Sequence, residues 1–585
     1  MALLNSSKIY CSSNKYAAVA AWAALTAYTA GQLVRQNAAP ALGSERVFVC
    51  IVAGTSLASE PSWTVTKGAK TAEAAGPTWQ EVTGQPPVNG DVTNTLAWTA
   101  SAKNQSVVLG QIIKNDGATA YQICTTAGTC GNGAEPSFST TAGTTTNDGT
   151  VVWTSLGVVG NFAAFAAPHQ RILNADAATW QTVIGSTVYV GSSHAETQAA
   201  ALTLTGGTGT PSLPTKYICV AESAAPPTTA TTGATISTTG ANALTLSNQF
   251  YWVGFKFSAA GGGANTANLA FTAAAAQYFE NCIYELASTG ASSFITSSRS
   301  NSQGILYFNN PSFLFGHASQ ALRFGSDVVI NGGSIAATGT VPNAPFACAT
   351  NTSQKTIVRA CDLSALTGNL VLVATQNGGV ISFSGCKLNA SVGFITGSAS
   401  LENAGSISVN LRNCDSGTKN YRFYQGSFLA TMQEDTATYN NAGASDGTTN
   451  FSMKVVTTTK TDFNQPYITE EFPIEIWQEN VGSPVTITVE IAGSGTLTNA
   501  EIWMEAGYLG SSSVPLATLV NNRATDIFAT PTNVASSSAS WAGSPAVTQK
   551  LQLTFTPQMK GLIKVRIFVA KPSTTVYIDP LITVV

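Results

Sequence analysis

The stretch VISFSGCKL (380–388) belongs to a series of phrases that recurs through the middle of the chain. In each, a short alternating strand runs into a small or polar residue, then a cysteine or its stand-in, then a new strand. Aligned on the residue after the bend, the series reads VGFKF at Phe255, ENCIY at Cys282, NNPSF at Pro311, NGGSI at Gly333, RACDL at Cys361, SGCKL at Cys386 and RNCDS at Cys414. The spacings are 27, 29, 22, 28, 25 and 28 residues. An irregular period in the twenties, made of short strands with Asn and Gly bends, is what a parallel β-helix produces. Each coil adds one rung, and loops absorb the differences in length. Asn and Gly tolerate left-handed backbone angles at the bend. Cysteine is small and apolar, so it suits the inward position just behind it. Cys361, Cys386 and Cys414 are therefore expected as buried free thiols on consecutive rungs. A disulfide between Cys361 and Cys386 is the competing reading. A zinc site has weaker support, since no CxxC pair occurs and the only histidines are His169, His194 and His317.

A second repeat lies nearer the start. VFVCIVAGTSLASEPSW (47–63) matches YQICTTAGTCGNGAEPSF (121–138), with Cys50 on Cys124 and the Glu-Pro-Ser-aromatic run in the same place. Each copy closes on a tryptophan 29 residues after its cysteine, Trp79 and Trp153. GQLVRQN (31–37) and GQIIKND (110–116) precede them as matching strands. This is a small all-β module, duplicated. It resembles the aromatic-rich modules of the chitin-binding type. That resemblance implies that Trp63, Trp79 and Trp153 stack on sugar rings, whereas size alone implies that each plugs the core of a small domain. Phe138 standing in for Trp63 in the second copy favours packing at that position.

From about residue 440 longer strands appear, including PVTITVEIAG, AEIWMEAGYLG, QKLQLTFTP and LIKVRIFVA, with period-two alternation and turn-rich spacers. They predict an antiparallel β-sandwich. The fold class expected is all-β, with small duplicated β modules, a right-handed parallel β-helix and a C-terminal antiparallel sandwich. The domains are read as an N-terminal attachment segment (1–30), the modules (31–160), the β-helix (161–440) and the sandwich (441–585). SKIYCSSNKYAAVAAW (7–22) is related to the phrase that opens the β-helix at 186–204. The modules are thus either inserted after a first coil strand or preceded by a separate attachment segment.

Composition narrows the function. Charged residues are 10 per cent of the chain, against about 25 per cent in an ordinary soluble domain. With 27 basic and 30 acidic residues there is no cationic surface to hold phosphates, so nucleic acid is not an expected partner. The apolar run AAVAAWAALTAYTA (17–30) is too short to span a bilayer and lacks a basic flank typical of an export signal. Folding in a reducing cytosol is expected.

Catalytic motifs are missing: there is no G-x-S-x-G elbow, H-E-x-x-H pair or Walker loop. No cofactor or metal is expected. Glycosidases need two carboxyl groups about 5–9.5 Å apart. The candidates are Glu280 with Glu285 on one rung, Asp327, Asp362, Glu402, Asp415 and the pair Glu434-Asp435. Asp362 and Asp415 share a repeat position but lie two rungs apart, about 10 Å, with Lys387 between them. That spacing is marginal for an inverting pair, and solvated side chains beside the turn are the plainer reading.

From TVYVGSSHAETQAAALTL through NNAGASDGTTNFSMKVVTT to TTVYIDPLITVV the chain resembles structural proteins of phage particles built on a parallel β-helix. The resemblance implies a homotrimer on the virion surface, attached to capsid or tail proteins, as a decoration, fibre or tailspike. It implies a non-enzymatic structural protein that adheres to host or environmental glycans. A tailspike polysaccharide depolymerase is the alternative, and a secreted bacterial adhesin the third reading. No membrane partner is expected.

Overall fold

The structure is a computed structural model. It describes residues 8–84, 97–99, 102–117, 119–158, 167–172, 185–205, 210, 212–223, 227–247, 250–272, 276–297, 304–348, 353–373, 378–397, 407–417, 420–427, 437–440, 452–457, 459, 461, 466–468, 472–476, 480–493, 495–498, 501–508, 527–528, 534–535, 547–557 and 560–584. Strands dominate, and the six-residue helix Ser13–Ala18 is the one α-helix among the described residues. The chain divides into two compact units, residues 1–293 with 298–314, and 294–297 with 315–585.

In the first unit, strands stack in parallel on three faces. Lys8–Cys11, Thr187–Gly191, Thr215–Val220, Phe250–Val253, Gln277–Glu280 and Ile305–Asn309 form one face. Ala195–Gln198, Thr235–Thr239, Lys256–Gly261 and Ile283–Leu286 form the second. Leu202–Leu204, Leu244–Ser247 and Leu269–Thr272 form the third. This is a parallel β-helix. The strands alternate buried and part-exposed residues, so like positions stack inside. Tyr217 lies on Trp252 at 4.2 Å, Phe279 on Phe308 at 5.2 Å, and Tyr284 on Phe313 at 5.2 Å. The second unit repeats the pattern, with Asp327–Asn331, Ser353–Arg359, Gly378–Ser384 and Ile407–Asp415 in parallel register. Asn420–Ser427 then pairs antiparallel with Ile407–Asp415 and ends that parallel run.

The bend between the first two faces is the repeating device. Gly254, Asn281 and Asn310 in the first unit, and Gly332, Ala360, Gly385 and Asn413 in the second, all have positive φ, between 50° and 79°. Each sits one residue before the position that aligns the sequence repeat. The left-handed residue donates its N–H to the next coil: Asn281 to Asn309 O (2.9 Å), Ala360 to Ser384 O (2.8 Å), Gly385 to Arg412 O (2.8 Å). Two residues on, the N–H returns to the coil before: Ser312 to Cys282 O (2.9 Å), Lys387 to Cys361 O (3.0 Å), Asp415 to Cys386 O (3.0 Å). The corner therefore turns without leaving buried backbone groups unpaired. Asn310 Nδ2 adds a donated bond to Asn281 Oδ1 at 2.7 Å.

Behind the corner, Cys282, Cys361, Cys386 and Cys414 are buried free thiols, the last three on successive rungs as expected. Burial pushes Cys361 up to about 12. The neighbouring Cys414 thiol and burial both raise Cys386.

The modules have one topology twice. Leu33–Arg35, Val47–Val52, Thr78–Glu81 and Lys70–Ala72 make a four-stranded antiparallel sheet. Ile112–Lys114, Ala120–Thr126, Val151–Val158 and Thr145–Asp148 make its counterpart. Both have a bulge just after the repeat cysteine, at Cys50/Val52 and Cys124/Thr126. The copies touch backbone to backbone where Gly68 meets Gly110. A Cβ on Gly68 would lie 2.1 Å from Leu109 O, so no larger residue fits without displacement. Gln80 Nε2 crosses the junction to Cys124 O at 2.8 Å.

Two expected boundaries move. Lys8–Cys11 pairs in parallel with Thr187–Gly191, so the first coil strand precedes the modules, which are inserted behind it. Residues 1–30 are therefore not one separate segment. Trp22 and Tyr28 lie in the core of the first module, because its small sheet needs their bulk to fill. The modules return to the coil's open edge. Tyr10 N–H donates to Gly84 O, His169 N–H to Tyr10 O, and Ser12 N–H to His169 O. A free strand edge is a template for unwanted pairing, and here the inserted cassette covers it.

In the C-terminal part, Ser452–Val456, Thr575–Val584, Val485–Gly493 and Val547–Phe555 lie in one antiparallel sheet. Phe472–Ile476, Gly561–Val569 and Ile502–Tyr508 lie in a second. Both supply one shared apolar cluster, including Ile487, Val489, Met504, Leu551, Val565 and Ile567. This is the expected sandwich.

Two outcomes test the corner. Ala360 carries a Cβ in the left-handed region, so Ala360→Gly raises stability by about 0.5–1 kcal/mol in denaturant unfolding. Native protein treated with a thiol reagent leaves Cys361, Cys386 and Cys414 unlabelled on the timescale that labels the unfolded chain; rapid native labelling contradicts the register.

Candidate functional site

The expected sugar platform comes first. Trp79 and Trp153 are fully buried, each paired across the sheet with its repeat cysteine. Their faces are core surface and cannot receive a sugar ring, so packing is the correct reading for both. Trp63 is half-buried; its ring stacks on Phe48 at 4.1 Å and its Nε1 donates to Glu60 Oε1 at 2.7 Å. Phe138 makes an edge contact with Trp153 at 6.3 Å, as Trp63 does with Trp79 at 5.9 Å. The sequence reading missed a further pair, Trp22 and Trp98. Trp22 Nε1 and Trp79 Nε1 both donate to Glu73 Oε1 (3.0 and 2.8 Å), and Trp98 Nε1 donates to Asp148 Oδ2 (3.0 Å). The shared Ala-Trp dipeptides at 21–22 and 97–98 are the signal that would have found them.

The carboxylates are separated rather than gathered. Asp362, Lys387 and Asp415 stand in one register column, as the repeat implies. Asp362 Oδ1 accepts from Ser364 N (3.0 Å) and Ser364 Oγ (2.5 Å), and Lys387 Nζ lies 3.7 Å from Oδ2. The Ser364 donors, then Lys387, hold the Asp362 carboxyl below its ordinary range, opposite to the raised carboxyl a general acid needs. Asp415 Oδ1 is taken by Gly417 N–H at 2.7 Å. Asp327 Oδ1 accepts from Lys355 N–H at 2.8 Å. Glu402, Glu434 and Asp435 lie outside the described residues.

Glu280 and Glu285 flank one corner, and beside them is an arrangement the sequence reading did not single out. Tyr251, Tyr278 and Tyr307 occupy one outward column on three successive rungs. Their strand neighbours Trp252, Phe279 and Phe308 point inward and are buried. Tyr278 and Tyr307 stack at 4.9 Å and 5°, while Tyr251 tilts against Tyr278 at 6.4 Å and 51°. The tyrosines are half-buried, with Lys216 below Tyr251 in the same column. Tyr251 Oη donates to Glu280 Oε2 at 2.5 Å, and burial together with this bond pushes its pKa up to about 12. Glu285 Oε2 takes Ser258 Oγ (2.6 Å) and Lys256 Nζ (2.9 Å). The column thus presents hydroxyls at the rung spacing of about 4.8 Å, with a carboxylate acceptor at its side. It can hold a hydroxyl-rich chain by hydrogen bonding.

A nucleophile-like constellation also exists, under the cassette. Cys11 Sγ lies 3.9 Å from His194 Nδ1, and His194 Nε2 lies 3.5 Å from Glu196 Oε2. It is not set for catalysis. His194 Nδ1 already accepts Ser13 N–H at 3.1 Å, which places the ring proton on Nε2 towards Glu196. Burial, then Glu196, raise the Cys11 thiol well above its ordinary value. All three side chains are sealed from solvent. The cluster ties the first coil strand to the second face, with Ile172 N–H on Glu196 Oε2 at 2.8 Å. His169 beside it is buried, and burial, then Arg46 and Lys67, push its pKa well below the ordinary value.

The fold and these surfaces define an all-β protein with a parallel β-helix, an inserted module pair and a sandwich. No protein-family model matches the chain, and no curated protein matches it. Among solved structures it is similar to the enzymatically active domain of tailspike protein 4 of bacteriophage CBA120. That match has 12% identity and a TM-score of 0.23, covering 95% of this chain and 86% of the other. A likeness this slight transfers neither activity nor residue roles.

His169 gives a pH test. Its folded pKa is depressed, so its contribution is complete above the unfolded value of about 6.5 and is lost as pH falls below it, at about 1.4 kcal/mol per pH unit. The difference in melting temperature between wild type and His169→Gln therefore shrinks between pH 7 and pH 5. A difference constant with pH contradicts a neutral buried imidazole.

Proposed function

We propose that this chain is a non-enzymatic structural protein on the outside of a phage particle, which self-associates as a homotrimer and adheres to surface glycans. Its attachment partners are other virion proteins, of capsid or tail. The observation that carries the adhesion reading is the tyrosine column. Tyr251, Tyr278 and Tyr307 repeat one hydroxyl on three rungs, so they suit a polymer lying along the β-helix axis. Among the described residues the candidate carboxylates are held in structural contacts, which supports binding without cleavage. Asp362 and Asp415 are each turned onto their own loop with Lys387 between them, and Glu285 is engaged by Lys256. The virion setting rests on the resemblance in sequence phrases and on the low charge.

The test is retention on immobilised neutral bacterial exopolysaccharide, with reducing ends assayed in parallel. Wild type is retained and releases no reducing ends. Tyr278→Ala with Tyr307→Ala loses about tenfold or more in affinity, because both hydroxyls and the stacked ring surface go. Equal retention of that variant removes the column from adhesion. Reducing-end release that Glu280→Gln abolishes replaces adhesion with the depolymerase reading.

A further inference from the structure

Three thiols lie behind consecutive corners, and the strand register sets their spacing. Asp362 pairs with Lys387 and Lys387 with Asp415. The residues just before them, Cys361, Cys386 and Cys414, therefore stand one rung apart. Adjacent rungs are separated by about 4.8 Å, inside the roughly 4.4–6.8 Å that two Cα atoms joined by a disulfide span. Corner bonds fix this spacing: Lys387 N–H donates to Cys361 O and Asp415 N–H to Cys386 O, both at 3.0 Å. All three thiols are free and buried, so each faces the next without solvent between. To close a disulfide, two Cβ atoms at rung spacing draw in by about 0.3–1 Å.

The two neighbouring pairs are not equivalent. The Cys386 S–H donates to the Cys414 sulfur, and this bond pulls the Cys414 thiol down to about 7 against the effect of burial. Cys414 is thus the sulfur that carries thiolate, the nucleophilic form. Cys361 is held the other way: burial, then the Asp362 carboxylate beside it, push it up to about 12. Position separates the pairs as well. Cys414 lies on Ile407–Asp415, where the parallel run gives way to an antiparallel partner. A bond from Cys414 to Cys386 would tie that last parallel rung to the one before it.

We propose that Cys386 and Cys414 are a latent disulfide site, which closes when the folded chain meets hydrogen peroxide. The Cys414 thiolate attacks one peroxide oxygen and the O–O bond breaks. Hydroxide leaves with the proton the thiol gave up, as water, and Cys414 becomes a sulfenic acid. The Cys386 sulfur then attacks the sulfenic sulfur, whose S–O bond breaks. The departing hydroxide takes the Cys386 proton as a second water, and the S–S bond forms. Two thiols have lost two electrons, and one peroxide has become two waters. Peroxide is little larger than water, so it reaches sulfurs that a bulky thiol reagent does not. The bond closes a loop of 28 residues, a restraint that the reduced unfolded chain lacks.

The experiment treats the native, reduced full chain with hydrogen peroxide, removes the excess with catalase, unfolds the protein in an alkylating reagent and maps its cysteines by mass spectrometry. Trypsin and chymotrypsin are used together, because a cut after Phe383 separates Cys386 from Cys361. The expected product links Cys386 to Cys414 and leaves Cys361 alkylated. Its urea midpoint rises by about 0.5 M or more, and dithiothreitol returns it to the reduced value. Cys361→Ala keeps this response and Cys414→Ala loses it. Alkylation of both Cys386 and Cys414 after peroxide overturns the proposal, as does a sulfinic acid on Cys414 with no link. A bond between Cys361 and Cys386 overturns the choice of pair.

Discussion

The structure depends on one corner. A coil must change direction sharply between two faces and still give every backbone N–H and C=O an axial partner. One residue at positive φ does this: it aims its own N–H at the next coil, and the residue two further on aims its N–H at the coil before. Everything that repeats in the sequence follows. The corner residue is Gly or Asn, or once Ala, because a larger Cβ substituent is strained there. The residue behind it is a buried cysteine in four of the seven repeats, and the buried Phe255 in another. With this ladder supplying order, little is required of surface charge.

A ladder of parallel strands has an open first edge, and the module cassette answers that problem. Gly84 and His169 bond the edge of Lys8–Cys11, and Cys11, His194 and Glu196 lie sealed beneath. The two modules do not fill their cores equally well. Glu73 reaches two indoles, Trp22 and Trp79. Asp148 is one methylene shorter and takes Trp98, while Trp153 Nε1 has no hydrogen-bond partner among the described residues. A buried donor left unpaired costs about 1–3 kcal/mol.

Much of this was legible in sequence, because stacking converts structure into period. The corner positions, the inward cysteines, the duplicated modules and Lys387 between Asp362 and Asp415 all fall where the phrases put them. What stayed hidden depended on pairing across long separations or on facing. Cys11 and His194 are 183 residues apart and share no motif. FYWV, QYFE and LYFN read as plain apolar strands until the rung register divides their aromatics into an inner and an outer set. Of the two readings open for Trp79 and Trp153, burial selects core packing over a sugar platform, because repeat position identifies equivalence and not exposure.

Register also limits which surfaces a β-helix can use. Any outward residue that repeats becomes a column at about 4.8 Å spacing. Like charges in such a column repel by about 1 kcal/mol per neighbouring pair even in water, and by more where solvent is thin. The column of Asp362, Lys387 and Asp415 escapes by alternating sign, which leaves each carboxylate beside a cation. Tyrosine needs no such compromise. A phenol is neutral, gains contact from its stacked neighbour and still offers a hydroxyl to the outside, so its column can lengthen rung by rung without electrostatic cost. A binding surface written along this fold is therefore most cheaply neutral and hydroxyl-bearing. On the proposed reading the ligand is a long polar chain with repeating hydrogen-bonding groups, held by many equivalent weak contacts rather than by one charged site.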